Sequence, residues 1–257
     1  MPADPVLTAI GALFGAVFGS FLNVCILRLP SEQSVVRPAS RCPHCGYVLR
    51  WYDNIPIISW LLLRGRCRGC RTTISVMYPL VELATALIWA ALTWLIGPSL
   101  ELFRAAVFCT LLLGIAMTDA REYIIPDEFS LGGLAIGLLF SIPGGFHVIG
   151  DALFGAAVGF ALLWVVAVGG KAVFKEEAMG GGDIKMMAMV GAFTGWTGVL
   201  LTIFLGSLLG TLIFVPLALI GKKKLVPFGV FLAVGAATTY LWGPTIVDWY
   251  RSYLTGL

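Results

Sequence analysis

Apolar stretches of about twenty residues recur along this chain with only short polar interruptions, and that pattern leaves few folds open. In a bilayer every backbone N–H and C=O needs an internal partner, so spanning segments are helices or closed barrels. The runs here are continuous rather than alternating, which favours helices over barrel strands. Only 12% of the 257 residues are charged and 59% are hydrophobic, whereas a soluble domain carries about 25% charged residues. The expected fold is an all-α polytopic membrane protein, with about eight transmembrane helices at some twenty residues each.

Turn and breaker residues divide the apolar runs into helices at about 5–27, 78–96, 100–118, 127–140, 149–168, 184–193, 198–220 and 227–242. The first run lacks a basic leader region and a small-residue cleavage site, so it reads as a retained helix. Gly11, Gly15, Gly19 and Ser20 give it a small-residue stripe suited to close helix packing. Asn23 near its end is a polar residue that needs a partner.

The chain divides into a first helix (1–27), a polar loop (28–77) and a second membrane segment (78–257). The loop holds eight arginines against Glu32 and Asp53, which places it in the cytoplasm by the positive-inside rule. Topology accounts for these arginines without a nucleic-acid partner. From an outside N-terminus, eight crossings put Arg121, Lys171, Lys175, Lys185 and the Lys222–Lys224 cluster inside as well, leaving only Arg104 and Arg251 outside. The same count brings Asp119 and Asp183 to the cytoplasmic face.

Within the loop, Cys42-Pro-His-Cys45 and Cys67-Arg-Gly-Cys70 have the spacing of a four-thiolate zinc knuckle. Gly46 and Gly69 suit the tight turns such pairs need. Reduced cytosolic thiols favour metal over disulfides, and four thiolates leave no open coordination position, so the zinc is expected to be structural. A redox pair or unmetallated thiols are the alternatives. His44 lies between ligands as a bystander, and Cys25 and Cys109 read as core residues.

Glu82, Asp119 and Asp183 are acids in or beside apolar runs. Each is costly there without a partner or a task. Glu82 is either functional or one half of an interfacial ion pair. Asp183 follows the glycine run Gly180–Gly182 at the lip of a helix, where the missing side chains let backbone or a substrate strand approach. Asp127 and Glu128, after Pro126, suit solvated or capping positions. His147 is isolated on a turn and has no assigned role. Two acids at one depth on separate helices suit an aspartyl protease: held close they cannot both ionise, so they share a proton. The ionised member takes a proton from water while the protonated one polarises the scissile carbonyl. On the residues alone, a proton-coupled transporter and a purely structural membrane module remain open.

Several segments, in order, resemble the type IV prepilin peptidases. They are Gly19-Ser-Phe-Leu-Asn-Val-Cys25, the cysteine loop with Trp51-Tyr-Asp-Asn-Ile-Pro56, Tyr78-Pro-Leu-Val-Glu82, residues 119–127, Gly180–Lys185 and Val226-Pro-Phe-Gly-Val-Phe-Leu232. The resemblance implies a bifunctional enzyme of the bacterial inner membrane, with its active site facing the cytoplasm. Such an enzyme removes the basic leader of type IV prepilins or type II secretion pseudopilins after a glycine. It then methylates the new N-terminal residue, usually phenylalanine, with S-adenosylmethionine. The family's catalytic aspartates fall on Asp119 and Asp183, and its glycines on Gly180 and Gly182, where the cleavage strand would approach. Lys185 completes that motif, acting on its neighbour or binding substrate backbone. Glu82 is the candidate to hold the substrate amine or the cofactor. No Rossmann-type glycine fingerprint occurs, so the cofactor residues are unassigned. The loop arginines would repel a basic leader, leaving Glu176, Glu177, Asp127, Glu128 or the pilin's apolar segment to recognise it.

Overall fold

The computed structural model describes residues 4–175, 179–219 and 226–255. Glu176, Glu177 and the lysines at 222–224 lie outside them. Six described segments are long and apolar enough to cross a membrane: Pro5–Ser31, Met77–Ile96, Leu100–Glu122, Asp127–Val173, Gly181–Pro216 and Phe228–Leu254. The protein is thus an all-α polytopic membrane protein, with six such segments among the described residues. Two of the six are interrupted. A short 3-10 turn before Gly145 divides α5 (Asp127–Ser141) from α6 (Gly145–Phe174). A single residue, Gly195 at φ 71° and ψ 178°, breaks α7 (Gly181–Leu219). Only glycine adopts that conformation readily.

The chain forms two compact units, the first ending at Thr110 and the second beginning at Leu111. In the first, α1 (Pro5–Arg28) starts at an Asp4 cap, whose Oδ1 accepts from Val6 N at 2.8 Å. It runs beside α3 (Met77–Ile96), which the sequence reading groups with the later helices. The glycine stripe makes this approach possible. A methyl on Gly15 would lie 2.6 Å from Thr85 O, and one on Gly19 would lie 2.8 Å from Glu82 Cα. Lipid tails give helices no hydrophobic reason to associate, so close backbone packing supplies the attraction. Asn23 Nδ2 donates to Tyr78 O at 2.9 Å. Between these helices the polar loop folds on itself around short α2 (Ile58–Leu62).

Helix α4 (Leu100–Glu122) carries the chain between the units. In the second unit α7 packs against α5, α6 and α8 (Phe228–Thr255). Again glycines mark the seams. Gly155 and Gly191 pack backbone to backbone, Gly159 sits on Met187 O, and a methyl on Gly137 would lie 2.8 Å from Phe193 Cε2.

Several helix limits differ from the sequence reading. Helix α4 continues to Glu122, so Asp119 lies inside it rather than at its end. Helix α7 begins at Gly181, making two of the three glycines helical. Helix α6 starts at Gly145, and His147, expected on a turn, pairs one turn later with Asp151 at 3.2 Å. Helix α8 runs through Pro244 to include the aromatic tail. The apolar signal fades at polar helix ends while i→i−4 bonding continues, so sequence makes these helices too short.

Candidate functional site

Asp119 is buried near the end of α4, 6% exposed. Its Oδ2 accepts from Val230 N at 3.2 Å, and Gly229 N–H also bonds the carboxylate. Both amides belong to the first turn of α8, where N–H groups have no partner within the helix and a negative charge is favoured. Gly229 permits the approach, because a methyl there would lie 2.9 Å from Asp119 Oδ2.

Asp183 occupies the first turn of α7. The Gly180 N–H bonds its carboxylate, and the Asp119 carboxyl lies within electrostatic reach. Asp183 Oδ1 is buried and makes no hydrogen bond among the described residues. Asp119 is thus held by backbone amides, while Asp183, within electrostatic reach of it, keeps one oxygen without a hydrogen bond among the described residues.

The neighbouring motif residues separate into different settings. A methyl on Gly180 would meet only Asp183 Oδ2, at 3.5 Å, whereas one on Gly182 would lie 2.8 Å from Ile125 Cβ. Lys185 Nζ donates to both carboxylate oxygens of Asp127, at 2.7 and 2.8 Å. Asp127 is not a side-chain cap, since the cap position of α5 is Pro126.

In the first unit the thiols of Cys42, Cys45, Cys67 and Cys70 all lie within 4.8 Å of one another. Cys42 and Cys70 Sγ are 3.8 Å apart, and Cys45 and Cys67 Sγ 3.9 Å. A tetrahedron of thiolates about 2.3 Å from a metal has edges of about 3.8 Å, so this cluster can hold an ion. Each pair sits on a knuckle closed by one isolated bridge, Arg41 with Val48 and Arg66 with Thr73. The left-handed residue follows the second cysteine in both: Gly46 at φ 71° and Arg71 at φ 63°. Gly69, expected in that role, instead makes room for Tyr47, whose Cβ would lie 3.3 Å from a methyl. The Thr72 hydroxyl bonds Cys70 Sγ at 3.2 Å and, with the Thr72 N–H, brings that thiol down to about 6.

Asp53 joins the knuckles. It accepts from Arg68 Nε at 2.6 Å, Tyr47 OH at 3.0 Å and Arg50 N at 3.2 Å. Burial works to raise this carboxyl, but the Arg68, Arg50 and Tyr47 donors together hold it below the usual carboxylate range. Burial and the Asp53 charge push the Tyr47 phenol upward.

Glu82 on α3 is 8% exposed and accepts from Ile57 N at 2.7 Å. It therefore has a backbone donor, rather than the ion pair weighed on sequence. Ile57 is at φ 62° and ψ −51°, and Ile58 N bonds Pro56 O at 2.5 Å. This is the rare positive-φ γ-turn, costly for a β-branched residue. A cavity of 420 Å³ lies inside this unit, with Ser20, Asn23, Tyr47, Asp53, Tyr78 and Glu82 in its wall. Ligand pockets run from about 300 to 1,000 Å³.

Sequence reasoning assigned no role to Asp53, Ile125 or Gly229. Asp53 was legible only as an acid among arginines and as part of the Trp51–Pro56 segment, and Gly229 only as part of the Val226–Leu232 segment.

A helical membrane protein with two carboxylates within electrostatic reach in one unit, and a thiol cluster beside a cavity in the other, has the parts of a membrane hydrolase. Residues 13–96 match the bacterial peptidase A24 N-terminal domain, and residues 106–215 match the type IV leader peptidase family. The prepilin leader peptidase/N-methyltransferase of Myxococcus xanthus (strain DK1622) is 44% identical over 209 residues, covering 81% of this chain and 62% of that protein. The same-named protein of Aeromonas hydrophila is 37% identical over 265 residues, covering 93% of this chain and 91% of that one. For Stutzerimonas stutzeri the identity is 37% over 280 residues, with 98% and 97% covered. No solved structure matches the chain. This chain belongs to the prepilin leader peptidase/N-methyltransferase family, membrane enzymes that combine an aspartic peptidase with a methyltransferase.

Proposed function

We propose that the chain removes the basic leader of type IV prepilins or type II secretion pseudopilins after a glycine, on the cytoplasmic side of the inner membrane. Asp119 and Asp183 carry the cleavage. The approach of these two carboxylates, on α4 and α7, to within electrostatic reach, with Asp119 anchored by amides and Asp183 Oδ1 without a hydrogen bond among the described residues, supports this reading most. One ionised carboxylate takes a proton from water, the protonated partner polarises the scissile carbonyl, and the pair then gives a proton to the leaving amine. Gly180, which leaves open space beside Asp183, gives an extended substrate strand room to approach. The orientation rests on the arginine-rich loop and the eight-crossing count, with the breaks at Gly145 and Gly195 dividing the two longest apolar segments.

The second activity methylates the new N-terminal residue, and the first unit carries it. S-adenosylmethionine supplies the methyl group, and the 420 Å³ cavity is of a size to hold such a molecule. Glu82 would hold a cationic group there, either the sulfonium or the amine before it loses the proton that frees its lone pair for methylation, and the wall around it would align the reactants. The four cysteines bind structural zinc, the metal whose tetrahedral thiolate geometry fits the sulfur separations.

Purified protein in detergent, given a prepilin and labelled S-adenosylmethionine, tests both halves. Mass spectrometry scores leader loss and N-methylation. Asp119→Asn and Asp183→Asn should each abolish cleavage while a pre-cleaved pilin is still methylated. Cleavage by both variants would overturn the aspartate assignment and return paired-carboxylate proton transport to consideration.

A further inference from the structure

The structure gives the two glycines beside Asp183 different tasks. Gly180 opens onto the carboxylate, while the space that a side chain on Gly182 would need is filled by Ile125. Ile125 belongs to the four-residue turn between α4 and α5, half-buried beside the buried Pro126. Its other end reaches α8: a methyl on Gly229 would lie 2.9 Å from both Ile125 Cδ1 and Asp119 Oδ2. One isoleucine thus touches the residue next to Asp183 and the residue whose amide holds Asp119. The turn is itself fixed at both ends. Tyr123, at φ 56°, closes α4 by donating its N–H to Asp119 O at 3.0 Å. Just past the turn, Asp127 takes both hydrogen bonds from Lys185, two residues after Asp183.

We propose that Ile125 is the spacer that sets the separation of Asp119 and Asp183, seated between Gly182 and Gly229, with the Lys185–Asp127 pair as the strap that holds the spacer in register. These are positioning residues rather than substrate ligands. The proposal rests on the aspartate reading above. Two acids that share a proton work only at a fixed distance, and a side chain packed into a seat with no Cβ fixes distance better than loop backbone does. The strap alone is weak, because both partners are part-exposed at 38% and 55%. The isoleucine therefore has the larger effect.

The test measures kcat and KM for prepilin cleavage by the full-length protein in detergent, with methylation of a pre-cleaved pilin as a control for intact protein. Ile125→Ala should lower kcat by about 10²-fold, the cost of misplacing reacting groups by roughly 1 Å, with KM unchanged. Ile125→Val, which loses only the methyl facing Gly229, should fall between Ala and wild type, and it serves where Ile125→Ala does not fold. Lys185→Met and Asp127→Asn should each lower kcat by at most about fivefold, the limit for a part-exposed ion pair. The double variant should lose no more than either one. A rise in KM for Lys185→Met with kcat intact would make Lys185 a substrate ligand and overturn the strap. Wild-type kcat in both Ile125 variants would overturn the spacer. Asp119→Asn and Asp183→Asn are run alongside: if they still cleave, the aspartate reading itself has failed, whatever the Ile125 variants do.

Discussion

The seam between α6 and α7 should be the place where one added methyl does most harm. At Gly191 a new Cβ would run into the backbone of Gly155 and sit 2.8 Å from Ala156 N. Heavy atoms in good contact lie about 3.5–4.0 Å apart, so the backbones must part by roughly 0.7 Å or more. No side chain at this point can rotate away, because the neighbours are main-chain atoms. A gap of about 0.5–1 Å forfeits a quarter to a half of each dispersion contact it opens, and in lipid such contacts are the main attraction between helices. Gly191→Ala should therefore destabilise the protein by about 1–3 kcal/mol, as overpacking does in other cores. Because Asp183 stands on the same helix, about 12 Å away at 1.5 Å per residue, cleavage should fall as well. A methyl on Gly150 of α6 would have nothing within 4 Å, so Gly150→Ala is the matched control. The usual helix-propensity gain of about 1 kcal/mol for replacing glycine largely cancels, since spanning segments stay helical when they come apart in a membrane. The control should lie within about 0.5 kcal/mol of wild type. Reversible unfolding in mixed micelles reads both. Equal stability of the two variants, or an unaffected Gly191→Ala, would refute the packing argument.

Three further outcomes follow from the first unit. Cys42→Ser should abolish stoichiometric zinc, measured by elemental analysis, and lower methylation more than cleavage; full methylation without metal would remove zinc from that half. Glu82→Gln keeps an oxygen to accept the Ile57 N–H but loses the charge, so methylation should drop with the thermal midpoint almost unchanged. Glu82→Ala should in addition destabilise by about 1 kcal/mol, the net worth of the hydrogen bond lost from the part-buried Ile57 N–H. Asp53 has a folded-state pKa below its unfolded value, so its stabilising contribution is complete above the unfolded pKa of about 3.9 and disappears as pH falls through the folded one. Hydrogen exchange across residues 41–73 should therefore separate wild type from Asp53→Asn most clearly near neutral pH, with the difference shrinking in acid. A difference that grew on acidification would contradict the network drawn around Asp53.

The sequence by itself determined the class of this protein, because membrane helices announce themselves locally. Long apolar runs leave the backbone no other solution in lipid, and four cysteines in two short pairs define a metal-sized cluster wherever the loop goes. Asp119 and Asp183 were legible for the same reason, since a carboxylate in an apolar run stands out. What the sequence left open depends on partners far apart in the chain. The bond from Val230 to Asp119 spans 111 residues, and those from Lys185 to Asp127 span 58. No periodicity in either segment specifies the other. Glycine shows the limit well. Gly180, Gly182 and Gly69 look alike as letters, yet one faces a carboxylate, one seats Ile125 and one yields to Tyr47, while the left-handed turn falls to Arg71. A missing side chain permits several uses. Only the neighbours that tertiary packing delivers decide which use is made, because what an absent Cβ is worth depends on what fills its place.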